Sequence, residues 1–322
     1  MLSGLKNFFI AFLISLVVCG LGAYFLISYV TAEFAPPADT APTGVDGEPI
    51  PAPDDEMLEN YRLTALIVGI DNAESQPGRE ADAIMLIDIN GWDRTFRLSY
   101  LPRDMRVDVS GYTLRLGAVY AEHGAEMLAR AVRANTGVQP DFFCVIDYGS
   151  IIALFDILGR IYYNVPVHMH HVPRPYNYFE LSREQRAALV PEISLQAGMQ
   201  RLDGAQVVQL LRFRGYGGSH IEDEVHREER HRSFLHEFIS QKLTFENLSR
   251  AREIYDAVIG GVVATNMTSE DFEKFAGLIF GFARDFEFSE VIYPGTRSYI
   301  DGVYFFLPNH AAAMDAFSSF RR

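Results

Sequence analysis

Between positions 212 and 232 the chain reads RFRGYGGSHIEDEVHREERHR, with five arginines and five carboxylates around a glycine-rich loop. Two chemistries suit such a run. One is a solvated helix laced with opposite charges. The other is a set of guanidinium groups that turn inward and grip a phosphate, whose oxygens match the planar arginine fork. Spacing bears on the choice. Glu224, Arg227 and His231 fall at i, i+3 and i+7 of a helix, on a stripe that continues as Phe234, Leu235 and Phe238. The side that packs into the core is therefore charged over its first two turns, and buried charge is costly unless paired or bound. Arg212 and Arg214 end the preceding helical pattern beside the same junction. Two residues apart, they point about 200° from each other on a helix. They meet at one anion only if the helix stops there, and Gly215, Gly217 and Gly218 give the chain freedom to turn back.

The acidic half of the chemistry lies earlier. Asp71 follows the apolar run LTALIVGI (63–70), and Asp82, eleven residues on, precedes AIMLIDI (83–89). The run TFRLSYL (95–101) closes with Arg103 and Asp104. Charged groups thus gather at strand ends, where open α/β sheets bind ligands. Two carboxylates there suit a Mg²⁺ that keeps its waters and shares phosphate oxygens, with Mn²⁺ as a substitute. Asp82 and Asp104 are the candidates for taking a proton from an attacking hydroxyl.

The elements that must position these groups alternate. The three apolar runs above read as buried strands, the second and third joined by the turn Asn90-Gly91. A helix is expected over 124–137, a strand over 142–148, a helix over 150–159 and a strand over 161–167, with 168–197 irregular. Asp203 caps the helix DGAQVVQLLRFR, with Gln206 placed for a capping box. A second helix follows from Ile221 to Leu243. The pattern predicts one α/β domain over 60–322, with no internal repeat.

Before that domain stand two segments of other character. Phe8–Val30 is an uncharged, mainly apolar run of 23 residues. At about 1.5 Å per residue a helix of that length crosses a hydrocarbon core of roughly 30 Å. Lys6 precedes it and no basic residue follows until Arg62, so the positive-inside bias puts 1–7 in the cytoplasm and the domain outside the cell. Residues 31–59 form a linker rich in proline and alanine. A net charge of −14 and this topology argue against nucleic acid. The basic residues are 25 arginines and only 3 lysines.

Read in order, VGID, EADAIML, SYLPRDMRV, RLGAVYAEHG, LFDILGRI, LQAGMQRLDGAQVVQLLRFR and EVHREERH resemble the signature of LytR-CpsA-Psr proteins. The motifs cover residues 60–245, and the likeness continues more weakly to the end. The resemblance implies an α/β/α sandwich with a central mixed sheet, held outside the membrane by one amino-terminal helix, with an apolar pocket for a polyprenyl chain. It implies transfer of an anionic glycopolymer from a polyprenyl-pyrophosphate carrier onto peptidoglycan, with Asp71 and Asp82 as Mg²⁺ ligands. Arg103, Arg212, Arg214 and Arg227 match the pyrophosphate-binding arginines, and Arg115 stands where a basic residue is usual. His231 joins that set where the family has glutamine. Glu80 replaces an arginine, with Arg79 one position early, and Glu224 replaces another acidic residue before Arg227.

Other features carry less. His168, His170 and His171 offer an i, i+2 pair without a further ligand at metal-site spacing. The sequons at Asn247 and Asn266 are short patterns, and Cys144 reads as a buried small hydrophobe. Nothing resembles a nucleophile elbow, a P-loop or a Rossmann glycine motif. Two alternatives stay open: a protein that holds lipid-linked glycan without turnover, and a pyrophosphatase with water as acceptor. The topology has a direct test. Protease added to intact protoplasts is expected to remove the domain while a cytoplasmic control survives; survival of both would reverse the orientation.

Overall fold

Runs of β-branched and leucine residues broken by turn residues build the sheet that carries the site. The computed structural model describes residues 62–71, 80–172, 192–215, 220–242, 262–268, 271 and 287–321. Strands β1 (Arg62–Ile70), β2 (Ala81–Asn90) and β3 (Thr95–Tyr100) are consecutive and antiparallel. Further strands are β4 (Arg106–Val109), β5 (Tyr112–Arg115), β6 (Phe142–Ile146), β7 (Ile161–Val165), β8 (Met169–His171), β9 (Ile193–Leu195) and β10 (Gly198–Leu202). The last are β11 (Val262–Thr265), β12 (Glu287–Glu290), β13 (Gly295–Ile300) and β14 (Val303–Pro308). The central sheet runs β11-β6-β1-β2-β3-β12 and is mixed, since β6 lies parallel to β1 and β12 parallel to β3.

Alternation sorts the sheet into two faces. Leu66, Val68, Ile70, Ile84 and Leu86 form one core with helix α1 (Leu116–Thr136) through Val119, Leu128 and Val132. Helix α5 (His310–Ala316) and the 3-10 turn Phe317–Arg321 close the same core with Ala313 and Phe317. The other face carries Ile67, Met85 and Cys144, which lie side by side in the register and are half-buried. Helix α4 (His220–Lys242) lies on that side, with His231 edge-on to Tyr100 at 5.8 Å and His236 against Phe288 at 5.4 Å. A second core joins α2 (Tyr148–Leu158), α3 (Gly204–Arg212) and α4 through Phe155, Leu210 and Phe234. Helices on both faces of a mixed sheet agree with the expected architecture.

Several boundaries differ from the sequence reading for local reasons. Helix α1 starts at Leu116 rather than 124, because a non-helical Gly124 with φ +80° merely kinks it; the apolar pattern marked only its second half. Helix α2 starts at Tyr148, because Asp147 accepts from the Ser150 N–H in a capping box. The capping box of Asp203 and Gln206 opens α3 as expected, but the helix stops at Arg212 and Phe213 leaves it with extended backbone. Inside the stretch expected to be irregular, β8 pairs with β9. The expected membrane span 8–30 and linker 31–59 lie outside the described residues, among which no helix is long and apolar enough to cross a membrane.

One close approach positions the charged strand ends. The Gly117 N–H donates to the Arg103 carbonyl at 2.7 Å, and a Cβ on Gly117 would sit 2.6 Å from the Ala81 carbonyl oxygen. The start of α1 thus packs against backbone on both sides of the Asp82–Arg103 pair. Gly117→Ala is expected to destabilise the protein by about 1–3 kcal/mol through overpacking. A lowered urea midpoint with unchanged slope would show it.

Candidate anion-binding site

Asp82 is the second residue of β2, at the edge where β1 ends and β3 runs into Arg103. Its Oδ1 accepts from three guanidinium groups: Arg103 Nη1 at 2.7 Å, Arg214 Nη2 at 2.9 Å and Arg227 Nη1 at 3.3 Å. These come from the end of β3, the exit of α3 and the second turn of α4. Exposure is graded across them. The Arg227 side chain is 3 % exposed and that of Arg214 43 %, so the cluster has a floor and a mouth. Burial pushes the Asp82 carboxyl up, but Arg103, Arg214 and Arg227 outweigh it and hold the group below the usual carboxylate range. Such a carboxylate is a poor proton acceptor.

Asp71, just past β1, lies 3.6 Å from Arg212 Nε. The Arg212 guanidinium sits over the Tyr148 ring at 5.2 Å. Burial, with Asp82 and Asp71 adding to it, pushes the Tyr148 phenol up, so it stays protonated. Tyr148 is a site residue that the sequence reading missed. Its signal was the Asp147–Ser150 capping box, which fixes the first turn of α2 beside the strand ends.

Arg115 takes another place. It donates to Glu80 Oε1 at 3.0 Å and to Asp104 Oδ1 at 3.4 Å, forming a row beside the Asp82 cluster. Arg103 Nε stands 3.6 Å from Asp104 Oδ2, which ties the row to the cluster. Asp104 is buried under these two cations.

His231 is buried with both ring nitrogens engaged by protein. Nε2 donates to the Leu211 carbonyl at 2.8 Å, and Nδ1 faces the Tyr100 hydroxyl at 3.3 Å. Burial, reinforced by the neighbouring Arg227, pushes its pKa down to about 3, so the ring is neutral. This geometry leaves no ring nitrogen for an anion, unlike the direct contact expected from the sequence. The sequence reading also passed over Arg230, which is 3 % exposed. Its Nε donates to the Leu210 carbonyl at 2.8 Å and its Nη2 to the Phe213 carbonyl. The signal was present in the spacing, because Arg227, Arg230, His231 and Phe234 form the i, i+3, i+4, i+7 stripe of an inward helix face. The side chain of Glu224, with Arg79, Gly217 and Gly218, lies outside the described residues.

The remaining candidates stay at the surface or in the sheet. The His168 and His170 rings stack 6.4 Å apart in an exposed segment, with His170 Nδ1 3.3 Å from Glu192. Asn266 uses its amide on the Phe143 N–H and the Asp141 carbonyl, and Asn247 lies outside the described residues. Burial pushes the Cys144 thiol up to about 11, which makes it inert. Among the described residues no group of three or more His, Cys, Asp or Glu could hold a metal ion.

Convergent arginines and strand-end carboxylates thus meet at one edge of a mixed α/β sheet. The profile of the LytR_cpsA_psr family matches residues 44–321, and the chain belongs to that family. It is 23% identical over 247 residues to the polyisoprenyl-teichoic acid–peptidoglycan teichoic acid transferase TagU of Halalkalibacterium halodurans, covering 76% of this chain and 73% of that protein. Its fold is similar to that of Bacillus subtilis TagV, with a TM-score of 0.64 at 17% identity, covering 81% of this chain and 96% of that one. It is similar too to the family protein YwtF (TagT) with bound octaprenyl pyrophosphate lipid, with a TM-score of 0.54 at 16% identity, over 82% and 90% of the two chains.

The depressed His231 pKa has a consequence for acid stability. Below about pH 6.5 the unfolded chain protonates this histidine while the folded protein holds it neutral down to about pH 3, so stability falls as pH falls through that window. His231→Gln is expected to make the stability–pH slope between pH 6 and 4 shallower by up to about 1.4 kcal/mol per pH unit. Urea titrations across that range measure it, and an unchanged slope would mean that His231 titrates in the folded state.

Proposed function

We propose that this chain is a membrane-anchored phosphotransferase that moves an anionic glycopolymer from a polyprenyl-pyrophosphate carrier onto peptidoglycan outside the cell. The observation that carries the proposal is the convergence of Arg103, Arg214 and Arg227 on one carboxylate oxygen, Asp82 Oδ1. That oxygen occupies the kind of seat a phosphate oxygen takes among arginine forks. The names of TagU and of the lipid-bound TagT support the same reading. So does the half-buried apolar strip of Ala83, Met85 and Ile67 leading from Asp82 along the sheet, which suits a polyprenyl chain.

Asp71 and Asp82 offer hard oxygen ligands at the adjoining ends of antiparallel β1 and β2. With no third carboxylate or histidine grouped there among the described residues, they fit an ion that keeps waters and shares phosphate oxygens, as Mg²⁺ does and Mn²⁺ can. Such an ion, held by Asp71 and Asp82, would supply charge stabilisation on the diphosphate. Arg103, Arg214 and Arg227 then bind the diphosphate, with Arg212 held at the rim by Asp71 and Tyr148. An acceptor hydroxyl oxygen bonds to the glycan-linked phosphorus while the bond from that phosphorus to the bridging oxygen breaks. The electron pair leaves on the polyprenyl phosphate, where the guanidinium groups meet the growing charge. The hydroxyl proton departs to solvent or to Asp104, since Asp82 is too weak a base.

Full-length protein in detergent, given a polyprenyl-pyrophosphate-linked glycan and peptidoglycan, is expected to transfer glycan and release polyprenyl phosphate. Release without peptidoglycan would make it a pyrophosphatase, and tight binding without release a carrier. A binding measurement isolates the role of Asp82. In chelator, Asp82→Ala is expected to bind inorganic pyrophosphate at least fivefold more tightly than wild type, because the arginines lose their internal anion. Added Mg²⁺ should strengthen wild-type binding and leave the variant nearly unchanged. Calorimetry showing weaker metal-free binding by the variant would overturn this account of Asp82.

A further inference from the structure

We propose that Arg230 and His231 are positioning residues: they clamp the carboxyl-terminal end of α3 so that Arg212 and Arg214 emerge facing Asp71 and Asp82. The proposal rests on the pyrophosphate reading of the site, and it assigns these two side chains to backbone rather than to the anion.

A helix end leaves carbonyls without intrahelical partners, and a left-handed glycine commonly satisfies them. Helix α3 has no such glycine at its end. Phe213 follows Arg212 with φ −57° and ψ 131°, and its N–H donates to the Gln209 carbonyl. The side chains of α4 supply what the local sequence lacks. Arg230 takes the Leu210 and Phe213 carbonyls, one on either side of Arg212, with its guanidinium 5.8 Å from the Phe213 ring centre. His231 takes the Leu211 carbonyl between them. The backbone on both sides of Arg212, and immediately before Arg214, is therefore fixed by two consecutive residues of another helix.

His231 also registers this assembly against the sheet. Its Nδ1 faces the Tyr100 hydroxyl, and the same hydroxyl lies 3.3 Å from the Asp82 main-chain carbonyl. With Nε2 carrying the proton that Leu211 accepts, Nδ1 is an acceptor like the Asp82 carbonyl, and the single phenol proton serves one of the two at a time. A path of short polar contacts thus runs from the backbone of Asp82 through Tyr100 and His231 to the residue before Arg212. One turn earlier on α4, Arg227 reaches the Asp82 side chain itself. The inward stripe of α4 sets both ends of the grip.

The test is a double-mutant cycle on the full-length protein in detergent, with Mg²⁺ and inorganic pyrophosphate as the probe. His231→Ala and Arg230→Met are each expected to weaken binding at least tenfold. His231→Gln, whose amide can donate to Leu211 and accept from Tyr100, should stay within about threefold of wild type. In an Arg214→Ala background the His231→Ala loss should shrink to threefold or less, because the residue acts through the segment that background has already lost. Losses that multiply would mean direct contact with the anion, and a His231→Gln protein as weak as His231→Ala would remove the clamp. Either overturns the proposal. Should His231→Ala fail to fold, Tyr100→Phe carries the same cycle, with an expected loss of threefold or more that does not multiply with Arg214→Ala. If wild type itself binds no pyrophosphate with Mg²⁺, the reading of the site falls as well; normal wild-type binding with multiplying losses overturns the clamp alone.

Discussion

Three guanidinium groups within 3.3 Å of a single oxygen are an arrangement that a flexible chain does not hold. Two unit charges about 4 Å apart near a protein surface repel by about 4 kcal/mol, so the cations stay together only because rigid elements force them and an anion lies between. Asp82 is that anion in the protein alone. Every neighbouring feature serves the confinement. The β1–β2–β3 register brings strand ends to one edge, Gly117 lets α1 press on Ala81 and Arg103, and α4 drives Arg227 in from beneath.

Strand β2 carries a second charged cluster that shows what a closed version looks like. Asp88, fully buried near its far end, accepts from Arg62 Nε at 2.9 Å, Arg97 Nη1 at 3.0 Å and the Thr64 hydroxyl at 3.3 Å. There the carboxylate shares Arg97 with a second acid, Asp93. The Asp82 cluster is built on the same side-chain chemistry but opens outward through a half-exposed Arg214. A buried, well-partnered carboxylate is a structural device, whereas a carboxylate at the mouth of a cation cluster can be exchanged for another anion. Location and exposure separate the two, since residue types do not.

How far this was legible in the sequence depends on what each feature draws upon. Strands β1, β2, β3 and β6 of the central sheet, the Asp203–Gln206 cap and the inward stripe through Arg227 and Phe234 follow from local periodicity, whereas the edge strands β11 and β12 were not read from it. The start of α1 did not follow, because Gly124 reads as a boundary while the chain passes through it as a kink. The contact of Arg115 with Glu80 and Asp104 depends on three elements meeting, which no local pattern encodes. Arg230 was overlooked for a physical reason as well. A charged residue on a helix is assigned to solvent by default, whereas here the carbonyls at the end of α3 accept from the buried guanidinium.

The row of Glu80, Arg115 and Asp104 bears on what the mouth of the site will accept. The acidic residue at position 80 gives Arg115 a partner at 3.0 Å. Arg115 lies between two carboxylates, so its charge is largely neutralised locally, and the positive potential is concentrated on the Asp82 side. The site is therefore asymmetric. Its cationic half is floored by Arg227 and rimmed by Arg212 and Arg214, and its other half holds Arg115 between Glu80 and Asp104.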